Sequence, residues 1–326
     1  MHLEFLNGLP NKDFFDTLLW KAIMDLSVNL GALKLKNPIM TASGTFGYGL
    51  EFTPYGRLEE LGAIVVKGLS LKPRKGNSMP RIAETPCGML NAIGLQNIGV
   101  EKFLQDKLPL LPWKETPVVV NLYAQSAEEF AHLAGILGSE PAVGALEVNI
   151  SCPNVRQGGL QFGQDPDAAA VVVEMVKKNA GHKPVIVKLS PNVADIKVIA
   201  RSVELAGADI ISLINTLGGM AVDIRTRKPS LANVFGGLSG PAIKPVALKM
   251  VYEVCTTVNI PVMGLGGISS ARDILEFILV GAWAVQVGTA TFTRPDRAFK
   301  LVQELKDLVD EMEISSWEEF RGKVMV

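Results

Sequence analysis

The sequence predicts an α/β fold, a (β/α)8 barrel with long loops on one face. Three observations carry that expectation. Eight short apolar runs recur along the chain, a helical segment follows each, and chemically capable polar residues stand at the same end of every run. The candidate strands end near Met40, Val66, Val120, Val148, Val187, Ile214, Gly264 and Val287. Each is rich in Val, Ile, Leu or Ala, the composition of parallel strands buried on both faces. Eightfold strand–helix alternation favours a closed barrel over an open doubly wound sheet. The open sheet would carry G-x-G-x-x-G after its first strand, and that marker is absent.

Residues 1–23 differ from the rest of the chain. Phe14, Phe15, Leu18, Leu19, Ala22 and Ile23 recur at helical spacing, so one amphipathic helix is expected. The segment reads as a partner or membrane-surface helix, a packing appendage, or a leader upstream of a start at Met24. No apolar run there is long enough to span a bilayer. Residues 24–326 are expected to form the barrel domain.

Helix starts are legible in order. Ser126 and Glu129 have capping-box spacing, in which serine and glutamate satisfy each other's amide donors. Asp165-Pro166 sets a cap before proline at the first helical position, and Gly240-Pro241 repeats the proline device. Asn192 with Asp195, and Ser270 with Asp273, mark further starts. Two connections, 68–99 and 216–239, are too long for plain strand–helix links, and loops of that length are usually functional. Both follow strands, which places them on the catalytic face of a barrel.

Bulk properties narrow the function. The chain has 326 residues, 48% hydrophobic and 20% charged, which suits one barrel with insertions and a large core. A net charge of −1 gives no footprint for nucleic acid. The cluster Arg225-Thr-Arg227-Lys228 reads as a solvated loop. Cys87, Cys152 and Cys255 form no C-x-x-C, so neither an iron–sulfur cluster nor a structural zinc is encoded. Their low, odd number fits a reducing cytoplasm. His2, His132 and His182 share no motif; His132 is expected on a helix surface and His182 in a turn.

Active sites of such barrels are built from the C-terminal ends of several strands. In order, those ends carry Thr41-Ala-Ser43-Gly44, Lys67-Gly68, Asn121, Asn149 with Cys152 beyond it, Lys188, Asn215-Thr216, Gly266-Gly267 and Gly288-Thr289. The glycine pairs after strands seven and eight can bring backbone amides to a phosphate, with the helix start at Ser269-Ser270 beside them. Tight turns would also need those glycines. A phosphate there, with room over the barrel mouth, suits a phosphorylated cofactor such as FMN. A flavin that accepts hydride gains charge, which Lys188 can stabilise; Lys67 can serve the flavin and a substrate carboxylate. Asn91, Asn149 and Asn215 match the alternating N–H and C=O edge of a pyrimidine, because a carboxamide both donates and accepts. Cys152 is then the base, since a thiol near pKa ~8.5 needs only mild tuning to take a proton. Its alternative is a buried small hydrophobe.

These residues fall within motifs that carry a family resemblance. From about Leu26 to Phe292 the chain resembles class 1 dihydroorotate dehydrogenase, an FMN-dependent TIM barrel of pyrimidine synthesis. The motifs are Asn37-Pro-Ile-Met-Thr-Ala-Ser-Gly44, Asn91-Ala-Ile-Gly-Leu-Gln-Asn97, Val148-Asn-Ile-Ser-Cys-Pro-Asn154, Gly236-Gly-Leu-Ser-Gly-Pro241 and Ala284-Val-Gln-Val-Gly-Thr-Ala-Thr-Phe292. The resemblance implies that FMN is held by Ser43, Lys67, Gly68, Asn121, Asn149, Lys188, Ile214, Gly240, Gly266, Gly267, Gly288 and Thr289. It implies that dihydroorotate contacts Lys67, Asn91, Ala92, Ile93, Gly94, Leu95, Asn149, Asn215 and Thr216. Cys152 matches the base that takes the C5 proton while hydride passes from C6 to the flavin, and cysteine there, where class 2 carries serine, favours class 1.

Pro80-Arg-Ile-Ala-Glu-Thr-Pro86 and the glycines of 158–163 are similar to subclass 1B, the NAD-linked form. That subclass pairs with a second subunit carrying FAD and a 2Fe–2S cluster. A homodimer, a heterotetramer with that subunit and a cytoplasmic location are implied. Fumarate-dependent subclass 1A, a uracil-directed flavin barrel like that of dihydropyrimidine dehydrogenase and a non-catalytic phosphate-binding barrel are the alternatives. The loop from Cys152 to Gly163 is expected to act as a lid. Cys87 departs from the family's glycine near the substrate loop.

Overall fold

A computed structural model of the chain describes residues 24–151 and 162–325. Residues 1–23, and with them the expected amphipathic helix, lie outside the described residues, as does Cys152. The described chain opens with a hairpin, β1 (Val28–Leu30) and β2 (Leu33–Leu35), that buries alternate residues. The barrel comes next: β3 (Ile39–Thr41), β4 (Ile64–Leu69), β7 (Val118–Leu122), β8 (Ala145–Asn149), β9 (Val185–Lys188), β10 (Ile210–Leu213), β15 (Val262–Leu265) and β16 (Ala284–Val287). All pair in parallel, each beside its neighbour in chain order, and β16 pairs with β3. A parallel bridge between Met40 and Ala63 brings β3 to β4 and closes the ring. The Thr41 hydroxyl reinforces the seam by donating to Val65 O at 3.1 Å and accepting from Val65 N at 2.8 Å. The eight expected strands are all present, with ends within three residues of those read from the sequence.

The outer layer arises from helical periodicity. The helix α2 (Ala127–Gly138) buries Phe130, Leu133, Ala134 and Leu137; α3 (Pro166–Asn179) buries Ala169, Val172, Val173 and Val176. The helix α4 (Ile196–Leu205) repeats the pattern with Ile196, Ile199, Ala200 and Val203. Residues at i, i+3, i+4 and i+7 share one face, so each helix lays one apolar stripe against the strands. The remaining helices are α1 (Val100–Asp106), α5 (Lys244–Cys255), α6 (Ala271–Leu279), α7 (Ala290–Thr293), α8 (Arg297–Glu311) and α9 (Trp317–Phe320). None of the described helices is long and apolar enough to cross a membrane.

The caps correct two expectations. Ser126 does cap α2 by accepting from Glu129 N, but the Glu129 carboxylate accepts from Gln125 N at 2.6 Å instead of returning to Ser126. Asp195 caps α4, whereas Asn192 braces the next loop: it donates to Thr216 O at 2.9 Å and accepts from Gly218 N at 2.9 Å. Asp165 caps α3, and Ser270 with Asp273 forms a complete capping box on α6.

The two long connections fold together. Residues 68–99 contain β5 (Ile82–Thr85) and β6 (Gly88–Asn91). Residues 216–239 contain β11 (Leu217–Met220), a small hairpin of β12 (Val222–Asp223) and β13 (Lys228–Pro229), and β14 (Phe235–Ser239). The order β11-β14-β6-β5 makes one antiparallel sheet from segments about 150 positions apart. Arg225, Arg227 and Lys228 lie exposed around the hairpin, as a solvated loop requires, and His132 and His182 are exposed as expected.

Candidate active site

A buried carboxylate organises the barrel interior. Glu147 and Asn149 are two apart on β8 and so share a face. Glu147 is fully buried and accepts from Asn121 Nδ2 at 2.6 Å, Gln286 Nε2 at 2.6 Å and Ser212 Oγ at 3.0 Å. Lys188 Nζ stands 3.9 Å from Glu147 Oε2, and both side chains are out of solvent. A buried charge persists where it is paired and hydrogen-bonded, and this one is both. The register sets Asn149 beside Lys188 and Lys188 beside Ser212. Expected residues from three strands, Asn121, Asn149 and Lys188, thus meet around a group the sequence reading passed over.

Strand β4 carries an irregularity where its functional residues stand. Val66 pairs with Val120 but Leu69 pairs with Leu122, so one extra residue lies between them, in the stretch holding Lys67 and Gly68. Such a bulge re-aims side chains at a strand end. A Cβ on Gly68 would lie 2.6 Å from Asn121 Oδ1, so only glycine allows that approach. The Asn121 Oδ1 and Gln286 Oε1 atoms are buried and unpaired. Burial, then the positive charge of Arg81, pushes the Lys67 ammonium below the ordinary lysine range. Among the described residues no carboxylate pairs with Lys67 or Arg81, so this corner attracts an anion.

The remaining carboxamides connect through Ser151. Its hydroxyl accepts from Asn215 Nδ2 and donates to Asn149 Oδ1 at 2.6 Å; Asn215 Oδ1 accepts from Thr216 N at 2.9 Å. On the far side of the segment 152–161, Phe162 meets Phe130 edge-on with ring centres 6.3 Å apart. A Cβ on Gly163 would lie 2.6 Å from Ile150 O, which keeps the two ends of that loop adjacent.

The segment from Asn91 to Leu95 sits at the end of the antiparallel sheet. Asn91 Nδ2 donates to Gly237 O at 3.2 Å, Asn77 Nδ2 to Ala92 O at 2.9 Å, and Asn77 N to Ile93 O at 2.9 Å. The amides of Ile93, Gly94 and Leu95 donate to no acceptor among the described residues. Cys87 is exposed in the β5–β6 turn, where its carbonyl accepts from Ala242 N at 2.9 Å.

The turns after β15 and β16 also leave amides free. Those of Gly240, Gly266, Gly267, Gly288 and Thr289 have no acceptor among the described residues. Gly267 has φ 78°, and its Cβ would lie 2.7 Å from Lys244 Cβ and 3.0 Å from Gly240 O, so chain geometry alone demands glycine. Gly288 is different. Its φ is ordinary and its Cβ would make only ordinary contacts, with Ala42 Cβ at 3.4 Å and the Thr45 side chain at 3.8 Å, so the turn itself does not require glycine. Space kept above Gly288 suits a ligand. Ile214 is buried and contacts the Gly266 turn, Ser43 is buried at the end of β3, and Thr289 Oγ1 donates to Ser239 Oγ at 2.8 Å. One expectation needs correction: the helix start at Ser269-Ser270 does not offer its amides to an anion. Both donate to Asp273 Oδ2 at 2.8 Å, which satisfies them internally.

Glu147, Ser212, Gln286, Ser151 and Arg81 were missed as site residues. For Glu147 and Gln286 a signal existed, because a charge or carboxamide inside a doubly buried strand must find a partner. Fold and site together define a (β/α)8-barrel enzyme whose mouth combines cations, carboxamides and free turn amides. The family model for dihydroorotate dehydrogenase matches residues 25–309. The chain is 67% identical over 303 residues to the catalytic subunit of dihydroorotate dehydrogenase B (NAD(+)) from Solidesulfovibrio magneticus, covering 93% of this chain and 99% of the relative. It is 64% identical over 301 residues to the subunit of the same name from Maridesulfovibrio salexigens, covering 92% and 99%. The corresponding subunit of Geotalea daltonii is 56% identical over 302 residues, covering 93% and 99%. The chain belongs to the dihydroorotate dehydrogenase family and is an oxidoreductase.

Proposed function

We propose that this chain oxidises (S)-dihydroorotate to orotate in pyrimidine biosynthesis, as the catalytic subunit of an NAD-linked enzyme. The observation that carries the reading is the cationic corner of Lys67 and Arg81 near the free amides of Ile93, Gly94 and Leu95. That corner suits a ring ligand bearing a carboxylate, which dihydroorotate has and uracil lacks. Asn91, Asn149, Asn215 and Thr216 would orient the ring through its amide edge.

FMN fits the residues present. The free amides of Gly240, Gly266, Gly267, Gly288 and Thr289 suit its phosphate. The unpaired Asn121 Oδ1 suits a ring N–H, and Ser43, Gly68, Asn149 and Ile214 complete the floor and walls. When bound, FMN supplies a two-electron acceptor for the C6 hydride. Lys188 and Lys67 stabilise the negative charge that the transfer creates. The thiolate of Cys152 takes the C5 proton, so the C5–C6 bond becomes double while the proton and the hydride leave to different acceptors.

The two electrons would pass to NAD⁺ through a partner subunit carrying FAD and a 2Fe–2S cluster. Two catalytic chains and two partners would form a heterotetramer in the cytoplasm. The test is an acceptor assay of the purified chain with dihydroorotate against NAD⁺, fumarate and an artificial dye, with and without the partner. Dye reduction alone, and NAD⁺ reduction only with the partner, is the expected result. Fumarate turnover by the chain alone would overturn the NAD-linked reading, and no flavin bleaching by dihydroorotate without air would overturn the reaction.

A further inference from the structure

We propose that Glu147 is a positioning residue whose charge sets the direction of the barrel-floor carboxamides and so makes the floor select a cofactor offering a ring N–H. The inference rests on the FMN reading above. A carboxylate can only accept hydrogen bonds. Asn121 and Gln286 must therefore turn their NH2 groups toward Glu147, as they do, at 2.6 Å each. Their oxygens are then the atoms left over, and both are buried without a donor.

Two further contacts hold this arrangement. Ser212 Oγ donates to Oε1 at 3.0 Å, and Lys188 supplies the opposite charge on the Oε2 side. Asn121 Oδ1 is aimed at Gly68, the one residue type that leaves it room. A buried acceptor without a donor is costly, so Asn121 Oδ1, beside Gly68, is satisfied only when a ligand delivers an N–H. The pyrimidine ring of oxidised FMN carries a single such group. A glutamine at position 147 could donate as well as accept, and would let Asn121 or Gln286 turn over.

The test compares FMN with FMN methylated at that ring nitrogen. The full chain is freed of flavin, and dissociation constants for both flavins are measured by fluorescence for wild type and Glu147→Gln. Wild type should prefer FMN by at least about tenfold, the effect of leaving one buried acceptor unmet. Glu147→Gln should bring the ratio close to unity. Equal weakening of both flavins, with the ratio kept, would make Glu147 merely structural and overturn the proposal. If wild type takes up neither flavin, the FMN reading fails and the proposal falls with it; if it takes both equally, only the proposal falls. Should Glu147→Gln not fold, hydrogen exchange of the Asn121 and Gln286 side-chain amides in the flavin-free wild type decides. Protection already present without flavin supports Glu147 as the organiser, whereas protection gained only on adding FMN overturns it.

Discussion

Asn215 on the loop after β10 donates its Nδ2 proton to the hydroxyl of Ser151, the residue that immediately precedes Cys152. Ser151 passes the connection to Asn149, so one hydroxyl orders two carboxamides, one from β8 and one from the loop after β10, just before Cys152. Ser151→Ala should leave the Asn215 amide without this partner and the Asn149 oxygen with only the Ser151 backbone N–H at 3.3 Å. Losing one buried and one part-buried hydrogen bond costs about 1–3 kcal/mol, and should slow flavin reduction by dihydroorotate roughly 10- to 100-fold. Anaerobic stopped-flow absorbance measures this, and FMN content should stay at the wild-type level. An unchanged rate would show that the relay does not act in the reaction.

Cys152→Ala should keep FMN and lose orders of magnitude in the rate of reduction by dihydroorotate, because the base proposed for the C5 proton is then gone. Reduction at the wild-type rate in the same assay would remove Cys152 from the mechanism.

The two glycine turns should respond differently to alanine. Gly267→Ala meets a positive φ and a 2.7 Å contact with Lys244 Cβ, so it should destabilise the chain by about 1–3 kcal/mol whether or not flavin is present. Gly288→Ala makes only ordinary contacts, with Ala42 Cβ at 3.4 Å and Thr45 at 3.8 Å, so flavin-free stability should change by no more than about 0.5 kcal/mol. FMN affinity should nonetheless fall at least about tenfold, since the new methyl would occupy space beside the amides proposed to hold the phosphate. Urea unfolding and flavin titration separate these outcomes. A large stability loss in Gly288→Ala would mark that turn as structural.

Lys188→Gln should expose the cost of the buried carboxylate. Glu147 would keep three neutral donors and lose the one cation that pairs with it among the described residues, a loss of about 3 kcal/mol, the lower end for a broken buried pair. For a chain of this size the thermal midpoint should fall by roughly 4–5 °C. Calorimetry checks it, and a midpoint equal to wild type would mean that Glu147 does not need Lys188.

Lys67 makes orotate binding depend on pH. Its pKa is depressed by burial and then by Arg81, so it loses its charge at a lower pH than an ordinary lysine. Orotate affinity, read from flavin absorbance, should weaken as pH rises through that depressed value, and Lys67→Met should abolish the dependence. Stability runs the other way. Between the depressed folded value and the ordinary unfolded value the unfolded chain binds more protons, so Lys67 adds stability to the flavin-free chain as pH rises through that window. Alkaline-limb profiles of binding and unfolding that both stay flat would contradict the burial of this ammonium.

Much of the fold was legible because its rules are local. Ala169, Val172, Val173 and Val176 declare a helix face by spacing alone, and Val118-Val-Val120 declares a doubly buried strand. Chain order then placed Lys67, Asn121, Asn149, Lys188 and Asn215 at one end of a barrel. The site was less complete. Ser269-Ser270 looked like an anion-binding helix start until Asp273 proved to hold both amides. Asn192 looked like a cap, but its carboxamide braces the loop at Thr216 and Gly218. In each case several acceptors were within reach of one donor along the chain, and only the folded geometry chose among them.

By itself the sequence determined the eight parallel strands, the face on which chemistry gathers and the residue types standing there, because hydrophobic period and strand–helix alternation are properties of short segments. Tertiary structure alone decided what those residues touch. It joined residues 68–99 to 216–239 in one sheet, and it brought Asn121, Ser212, Gln286 and Lys188 from four strands onto Glu147. Those partners are set by barrel closure and register, which bring residues up to 139 positions apart into hydrogen-bond contact and leave no trace in local spacing.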